Sequence, residues 1–461
     1  MSSLWARLTL ANFSQQEWQY KSRLKQLVGI WSPWRQDSLL MQWDEPIATA
    51  LLCVILTLSP FVSTALVGVL LFAGGSYFLL LLLSDNNKIK LTPVHIPVML
   101  YWSVATVATA FSPVRSAALE GWRNTTLFLL LFALSAQVFR NRRLANILLL
   151  LFLLVALVIS TYGVYQSIYG APPLATWNDP TSPMANNVRV YSYLNNPNLL
   201  AGYLLPAIAM SAAACFAWKR PITKALAIVM TVINSICLYY TDSRGGWIGF
   251  LILFTIFVLS LYASYNSLLP KFWRASIIPV IFGSLFVLLL LGFLFLEPLR
   301  FRISSIFLGR GDSSNNFRIN VWSAVLQIIR DRPVIGIGPG HATFNKIYPL
   351  YMQSRYSALG AYSIYLETAL ELGIIGFLSF LWLILVGFYT ATVEIIRSGN
   401  FWLIGAVAGL SGMLGHGIVD TVWYRPEIHC IWWLFMGYVA SQYQEISVLK
   451  PEPSPADHPD V

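Results

Sequence analysis

Residues 144–166 read LANILLLLFLLVALVISTYGVYQ, a stretch without a single Asp, Glu, Lys or Arg. A helix needs about 20 apolar residues to cross a hydrocarbon core of roughly 30 Å. The stretch therefore predicts one transmembrane helix. Strands of an outer-membrane barrel alternate in polarity over roughly 10 residues, and this continuous run does not fit that pattern.

The composition of the whole chain agrees with a membrane protein. Of its 461 residues, 57% are hydrophobic and 11% are charged, whereas soluble proteins carry roughly 25% charged residues. The formal net charge of +10 is typical of Lys and Arg in cytoplasmic loops, so we expect no nucleic-acid partner. The four cysteines lie in or beside apolar runs without metal-type spacing, and we expect neither a metal nor a cofactor.

Similar apolar runs recur along the chain and predict an all-α polytopic membrane protein with about 12 transmembrane helices, 11 also being compatible. The predicted spans are residues 46–65, 66–84, 96–111, 124–139, 144–166, 199–217, 225–240, 247–264, 276–296, 370–393, 402–419 and 429–444. The predicted organisation is an amphiphilic segment (1–45), spans 1–9 (46–296), a long loop (297–368), spans 10–12 (369–445) and a disordered tail (446–461).

The distribution of basic residues predicts the orientation in the membrane. Alternate links between spans are basic, and alternate links share one side. Their basic residues are Lys88, Lys90, Arg140, Arg142, Arg143, Lys219, Arg220, Lys224, Lys271 and Arg274. We therefore expect a multi-pass protein of the inner (plasma) membrane with both termini in the cytoplasm. The long loop then lies outside the cytoplasm, since long loops cross largely regardless of charge.

Within the long loop, residues 315–330 place apolar side chains on one face at helical spacing. This pattern predicts an amphipathic helix at the membrane surface or over the helix bundle. Arg318 lies near its start, where the helix dipole and a guanidinium together favour an anion. Gly336-Ile-Gly-Pro-Gly340 does not match a dinucleotide-binding loop and is predicted to be a turn.

Arg244 lies between two apolar runs, where a guanidinium is costly unless it is paired or solvated. It could be functional, or it could reach lipid headgroups; the residues alone leave both open. The predicted topology places Arg189, Asn198, Asp242 and Asp420 on the same outer face. We therefore expect an anion-binding site formed by Arg189, Arg244 and Arg318, supported by the other three.

Five motifs follow one another between roughly residues 190 and 440: Asn196–Tyr203, Asp242–Trp247, Arg318 with Trp322, Pro333–Gly340 with Phe344 and Tyr348, and Tyr365–Gly376. Together and in this order, they resemble the O-antigen ligase and polymerase superfamily of bacterial envelope proteins. The resemblance implies that Arg244 and Arg318 hold a lipid pyrophosphate. Ligases of this superfamily carry a His-Asn pair whose histidine is the base, but here the pair is Tyr362-Ser363. Tyrosine titrates near 10 and is a poor base at neutral pH, and His341 is only a weak substitute.

Within the superfamily, the whole chain looks most like a cyanobacterial family described as bicarbonate transporters and linked to inorganic-carbon accumulation. Matching segments are Leu8-Thr-Leu, Leu27–Ile30, Ser32-Pro-Trp, Tyr348–Tyr351 and Ala361–Leu366. The resemblance implies bicarbonate transport or an accessory role in it. Two alternatives stay open: glycosyl transfer from a lipid-pyrophosphate-linked glycan, and non-catalytic binding on the ligase fold. The expected partners are the lipid bilayer and either a small anion or a lipid-linked glycan; the sequence does not identify any protein partner.

Overall fold

The computed structural model describes residues 3–14, 28–85, 89–172, 189–422 and 425–444, and these residues form helices and connecting segments without strands. The predicted disordered tail and part of the N-terminal segment lie outside them. The helices are α1 Ser3–Leu8, α2 Ser32–Asp37, α3 Leu39–Gln42, α4 Asp44–Leu58, α5 Thr64–Leu83, α6 His95–Ala110, α7 Arg115–Val138, α8 Arg142–Tyr169, α9 Pro197–Ala217, α10 Pro221–Tyr240, α11 Arg244–Tyr265, α12 Lys271–Phe295, α13 Glu297–Phe307, α14 Ser313–Asp331, α15 His341–Ile347, α16 Ile364–Ser398, α17 Phe401–His416 and α18 Pro426–Ser441.

A helix occurs at each of the twelve predicted positions, as α4–α12 and α16–α18. Seven helices of the described residues, namely α5, α8–α12 and α16, are long and apolar enough to cross a membrane by length and composition. The other five are shorter or more polar. The predicted fold class, an all-α polytopic membrane protein, is therefore confirmed.

Helix α12 shows most directly why this fold needs a bilayer. It is one of the most apolar helices, yet none of its residues is buried within the protein. A surface of this kind, with Phe286, Leu288 and Phe295 all more than half exposed, is unstable in water. In a bilayer these apolar side chains contact lipid tails instead of water. The helix can lie in lipid because its backbone hydrogen bonds are all internal.

The centre of the bundle is built from α9, α11 and α17, in which small residues allow close packing. A Cβ added to Gly249 of α11 would lie 2.6 Å from the carbonyl oxygen of Gly412 in α17. Side chains larger than glycine would push these helices apart, and small residues at helix contacts are the usual solution in membranes. Helix α9 is buried along most of its length.

The links between helices fall at two ends of the bundle. At one end, the link after α7 meets the link after α5, where Arg140 Nη2 donates to the Lys90 carbonyl oxygen at 3.1 Å. At the opposite end, α9 and α11 begin, α17 terminates, and the long segment between α12 and α16 folds over them. We call this second end the loop end.

The long segment is anchored to the bundle by backbone contacts. The amides of Ile337 and Gly338 donate to the carbonyl oxygens of Leu370 and Glu371, at 3.0 and 2.9 Å. These carbonyls are available because α16 is kinked at Gly373, whose φ of +64° suits glycine. The segment also has its own apolar core, which includes Val325 and Phe344. Helices α13 and α14 are thereby held above the loop end.

Candidate functional site

A cavity of about 280 Å³ opens at the loop end between the bundle and the long segment. Four arginines line it, and we call it the arginine cavity: Arg189, Arg244, Arg302 and Arg318. Two come from the bundle side and two from the long segment. The long segment therefore completes this cavity.

The floor of the cavity is the short link between α10 and α11. Asp242 has a left-handed backbone, with φ of +52°, and Ser243 caps α11 by accepting a hydrogen bond from the Gly246 amide at 3.2 Å. This tight link directs the Asp242 carboxylate to Arg302, with Nε and Oδ1 2.8 Å apart. Arg302 also donates to the Asp242 carbonyl oxygen through Nη2 at 2.6 Å.

Arg244 is the first residue of α11 and reaches upward to the long segment. Its Nη2 lies 2.9 Å from Oδ1 of Asp312, and its Nη1 donates to Oγ of Ser305 at 3.0 Å. The same Asp312 oxygen caps α14 by accepting from the Asn315 amide at 2.8 Å. Arg244 is thus paired with protein groups and is only 10% exposed.

Arg318 links α14 to the segment that follows α17. Its Nε donates to the Val419 carbonyl oxygen at 2.8 Å, and its Nη2 lies 3.4 Å from Oδ2 of Asp420. Its guanidinium carbon is 6.0 Å from the centre of the Tyr362 ring, within the range of a cation–π contact. Arg318 therefore borders both the cavity and the loop end of α16.

Arg189 is the fourth arginine of the cavity and lies in the segment before α9. Its Nε donates to the Thr241 carbonyl oxygen at 3.0 Å and its Nη2 to Oδ1 of Asn198 at 3.1 Å. Burial, together with nearby Arg302, lowers the pKa of Arg189 to about 10. The guanidinium is still charged at neutral pH.

Burial also changes the pKa of a carboxyl group in the site, that of Asp242. It raises the pKa of Asp242 above the ordinary 3.8, and this effect outweighs the lowering by Arg302, Arg189 and Arg244. The four arginines face three carboxylates, those of Asp242, Asp312 and Asp420, so one positive charge is left over. Each guanidinium has five N–H groups, and the cavity retains donors for an anion.

A second, smaller space lies beside the arginine cavity, and we call it the small chamber. It measures about 20 Å³. Its lining residues are Asn196, Asn198, Leu199, Leu359, Gly360, Tyr362, Asp420, Thr421 and Val422. Asn198 lines both spaces, and its Nδ2 donates to Oδ2 of Asp420 at 2.7 Å.

A family model described as O-antigen ligase matches residues 229–381. The match supports the O-antigen ligase-like superfamily and a membrane protein of the glycosyl-transfer type. It spans Arg244, Arg302, Arg318 and Tyr362. The cyanobacterial bicarbonate subfamily is not confirmed by this match. No curated protein matches the chain significantly.

The structure brings together most of the residues that the sequence singles out. Arg189, Arg244, Arg318, Asn198 and Asp242 all line the arginine cavity. Asp420 and Tyr362 line the small chamber. These contacts place the residues next to one another, and their roles stay predictions.

His341, the weak substitute for the missing base, is positioned differently. It starts α15, is exposed, and its Nε2 is 2.9 Å from Nδ2 of Asn345. It lines neither space. His416 lies closer: a Cβ added to Gly245 would meet its ring at 2.6 Å. Neither ring nitrogen of His416 has a hydrogen-bond partner among the described residues.

Sequence reasoning missed two members of the site, Arg302 and Asp312. Arg302 is one of several arginines in the long segment, and nothing in its neighbours sets it apart. Asp312 precedes a polar run at the start of α14, which is typical of an N-cap, and that signal predicts only the cap. No described group of three or more His, Cys, Asp or Glu could hold a metal ion.

Proposed function

We propose that the protein binds the pyrophosphate of a lipid-linked glycan in the arginine cavity and takes part in transferring the glycan. The observation that carries the proposal is the convergence of four guanidinium groups on one cavity. Arginine matches phosphate oxygens with paired, charge-assisted hydrogen bonds. The O-antigen ligase match over residues 229–381 supports the same chemistry.

The size of the cavity favours a large anion over a small one. At about 280 Å³ it approaches the roughly 300–1,000 Å³ typical of organic ligand sites. Apolar side chains of Ile248, Ile306 and Trp322 also line it. A diphosphate with an attached sugar and lipid would use both the cations and the apolar wall, whereas a bicarbonate ion would leave much of the cavity empty.

The position of the cavity at the ends of α9 and α11 also suits a lipid-borne substrate. A diphosphate headgroup lies at the membrane interface while its hydrocarbon stays in the bilayer. We propose that the loop end faces away from the cytoplasm in the inner membrane, because the short links at the other end are basic and long segments cross largely regardless of charge. The donor would then be used outside the cytoplasm.

Inorganic-carbon handling remains the second candidate. The observations that favour it are the unbalanced positive charge of the cavity and the Tyr362-Ser363 pair at the position of the ligase-type base. In this alternative, the arginines attract bicarbonate. Uptake of labelled bicarbonate into proteoliposomes would then indicate transport, and bicarbonate binding without uptake would indicate a binding protein.

The binding test is calorimetric titration of the purified protein with inorganic pyrophosphate and, separately, with bicarbonate. We expect pyrophosphate to bind and Arg244→Gln to weaken it about 10-fold or more, since a hydrogen bond to a charged group contributes about 1.5–3 kcal/mol. Arg330→Gln is the matched control, because Arg330 is exposed on α14 outside the cavity. Equal losses in both variants, or tighter binding of bicarbonate, would argue against the glycan proposal.

The functional test separates the two candidates. In the host, a deletion strain carrying Arg244→Gln should lack the surface glycan that wild-type protein restores. Proteoliposomes should take up no more labelled bicarbonate than empty liposomes. Normal glycan in the deletion strain together with bicarbonate uptake would replace the proposal with the transport function.

A further inference from the structure

The small chamber has room for one hydroxyl group. Its volume of about 20 Å³ exceeds the roughly 10–15 Å³ that a single water needs. Its lining supplies a carboxylate, two amide side chains and two hydroxyl groups, from Asp420, Asn196, Asn198, Tyr362 and Thr421. A water or hydroxyl in such a space finds the two to four polar partners that it requires.

Asn198 separates this chamber from the arginine cavity, and its side chain has a fixed orientation. Its Oδ1 accepts from Arg189 at 3.1 Å, and its Nδ2 donates to Asp420 at 2.7 Å. A reversed amide would aim N–H groups at a guanidinium and an oxygen at a carboxylate. Asn198 therefore forms a wall with the positively charged Arg189 on its cavity side and the negatively charged Asp420 on its chamber side.

Asp420 has an oxygen available for a further hydrogen bond. The hydrogen bonds it accepts from Asn198 and Arg318 both go to Oδ2. Among the described residues, none donates to Oδ1. Because a carboxylate oxygen accepts more than one hydrogen bond, Asp420 can take a hydroxyl proton while its other oxygen stays anchored.

We propose that the small chamber holds the nucleophilic hydroxyl of the transfer reaction and that Asp420 is its general base. Asp420 would then take the role that a histidine has in ligases of the superfamily. This inference rests on the proposed glycan transfer. The anomeric carbon of the donor would lie at the Asn198 wall, between the cavity and the chamber.

The step balances without any other reactant. The hydroxyl oxygen forms a bond to the anomeric carbon, and the bond from that carbon to the phosphate oxygen breaks. The electron pair of that bond leaves with the diphosphate, whose negative charge the four arginines stabilise. The hydroxyl proton moves to Asp420, which later returns it to solvent.

Two sources could supply this hydroxyl, an acceptor glycan or water. The shared chemistry is one O–H group with an oxygen lone pair facing the cavity. Transfer to a glycan leaves the sugar covalently attached to a larger product. Transfer to water releases a free reducing sugar, so the products distinguish the sources.

The test compares Asp420→Asn and Asp420→Ala with wild type in two measurements. One is surface glycan and free glycan in the deletion strain; the other is pyrophosphate titration of the purified protein. General base catalysis contributes about 10²–10⁴-fold, so Asp420→Asn should lose product formation about 100-fold or more. Its pyrophosphate affinity should not fall, because the substitution only removes a negative charge beside Arg318.

A rescue experiment separates proton transfer from structure. Sodium formate, a small carboxylate, should restore part of the activity of membranes carrying Asp420→Ala, because the substitution leaves space for it beside the chamber. Chloride at the same ionic strength should not. Product formation by Asp420→Asn near the wild-type rate, or equal effects of formate and chloride, would overturn the role of Asp420.

A second variant blocks the chamber without changing a polar group. Leu359 lines the chamber and is 50% exposed, so Leu359→Trp should fold and fill the space. Product formation should fall about 10-fold with unchanged pyrophosphate affinity. Leu350→Trp is the control, since Leu350 is exposed and outside the chamber. An unaffected Leu359→Trp would refute the chamber as the hydroxyl site, whereas absent pyrophosphate binding in wild type would refute the proposed function itself.

Discussion

The arginine cavity and the small chamber share Asn198 but differ in charge and size. The cavity has four guanidinium groups and about 280 Å³, while the chamber has one carboxylate and about 20 Å³. Cations suit a departing diphosphate, and a carboxylate suits an arriving hydroxyl. In the proposed transfer, one residue, an asparagine hydrogen-bonded on both sides, would separate a donor half of the site from an acceptor half.

The largest effect is expected from Arg318→Ala, since Arg318 contacts both halves. Removing it eliminates a cavity cation and one of the partners of Asp420. Pyrophosphate affinity should fall about 10- to 100-fold, because charged hydrogen bonds contribute about 1.5–3 kcal/mol each. Calorimetry provides the measurement, with Arg330→Ala as control. Unchanged affinity would mean that Arg318 serves only the fold.

Asn198→Leu should have the next largest effect. Leucine has a similar size but can neither accept from Arg189 nor donate to Asp420. Two partly buried charged groups each lose a partner, so the free energy of unfolding should fall by about 1–3 kcal/mol. A thermal melt of the detergent-solubilised protein measures it. A melting temperature equal to that of wild type would show that the wall is held by other contacts.

The pH dependence of anion binding tests the raised pKa of Asp242. A raised pKa means that Asp242 takes up a proton at a higher pH than an ordinary aspartate near 3.8. Each protonation removes a negative charge beside Arg302, so sulfate, which stays doubly charged in this range, should bind severalfold tighter as pH falls toward 4. In Asp242→Asn this increase should disappear. An identical pH profile in both proteins would contradict the assignment.

The smallest effect is expected from Arg310→Ala. Arg310 belongs to the same segment as Arg302 and Arg318, but it is exposed and donates to the side chains of Asn316 and Asn320. Its removal should change pyrophosphate affinity less than about twofold in physiological salt, because exposed charges are screened beyond about 8 Å. A larger loss would indicate that overall charge, rather than the cavity, attracts the anion.

Local pattern was sufficient to predict the helices. Long apolar runs can satisfy their backbone hydrogen bonds in lipid only as helices, so twelve positions could be named from the sequence. Five members of the arginine cavity were also named: Arg189, Asn198, Asp242, Arg244 and Arg318. These five residues could be grouped because the predicted topology places them all at one end of the bundle.

The partners of those residues could not be predicted in the same way. Arg244 pairs with Asp312, and Arg302 pairs with Asp242, across 68 and 60 positions of the chain. Which arginine of the long segment meets which carboxylate depends on how α13 and α14 lie over the bundle. No local pattern in the sequence encodes that placement.

The sequence by itself determined that this chain is a helical membrane protein with a polar, arginine-rich segment between its late spans. Hydropathy and helical periodicity are local properties of the sequence. They are sufficient here because a long apolar segment in a lipid bilayer can satisfy its backbone hydrogen bonds only as a helix. Only the tertiary structure decided that Asn198 stands between a cationic cavity and an acidic chamber. That arrangement requires α9, α14 and the end of α17 to meet in space, which depends on packing between distant segments.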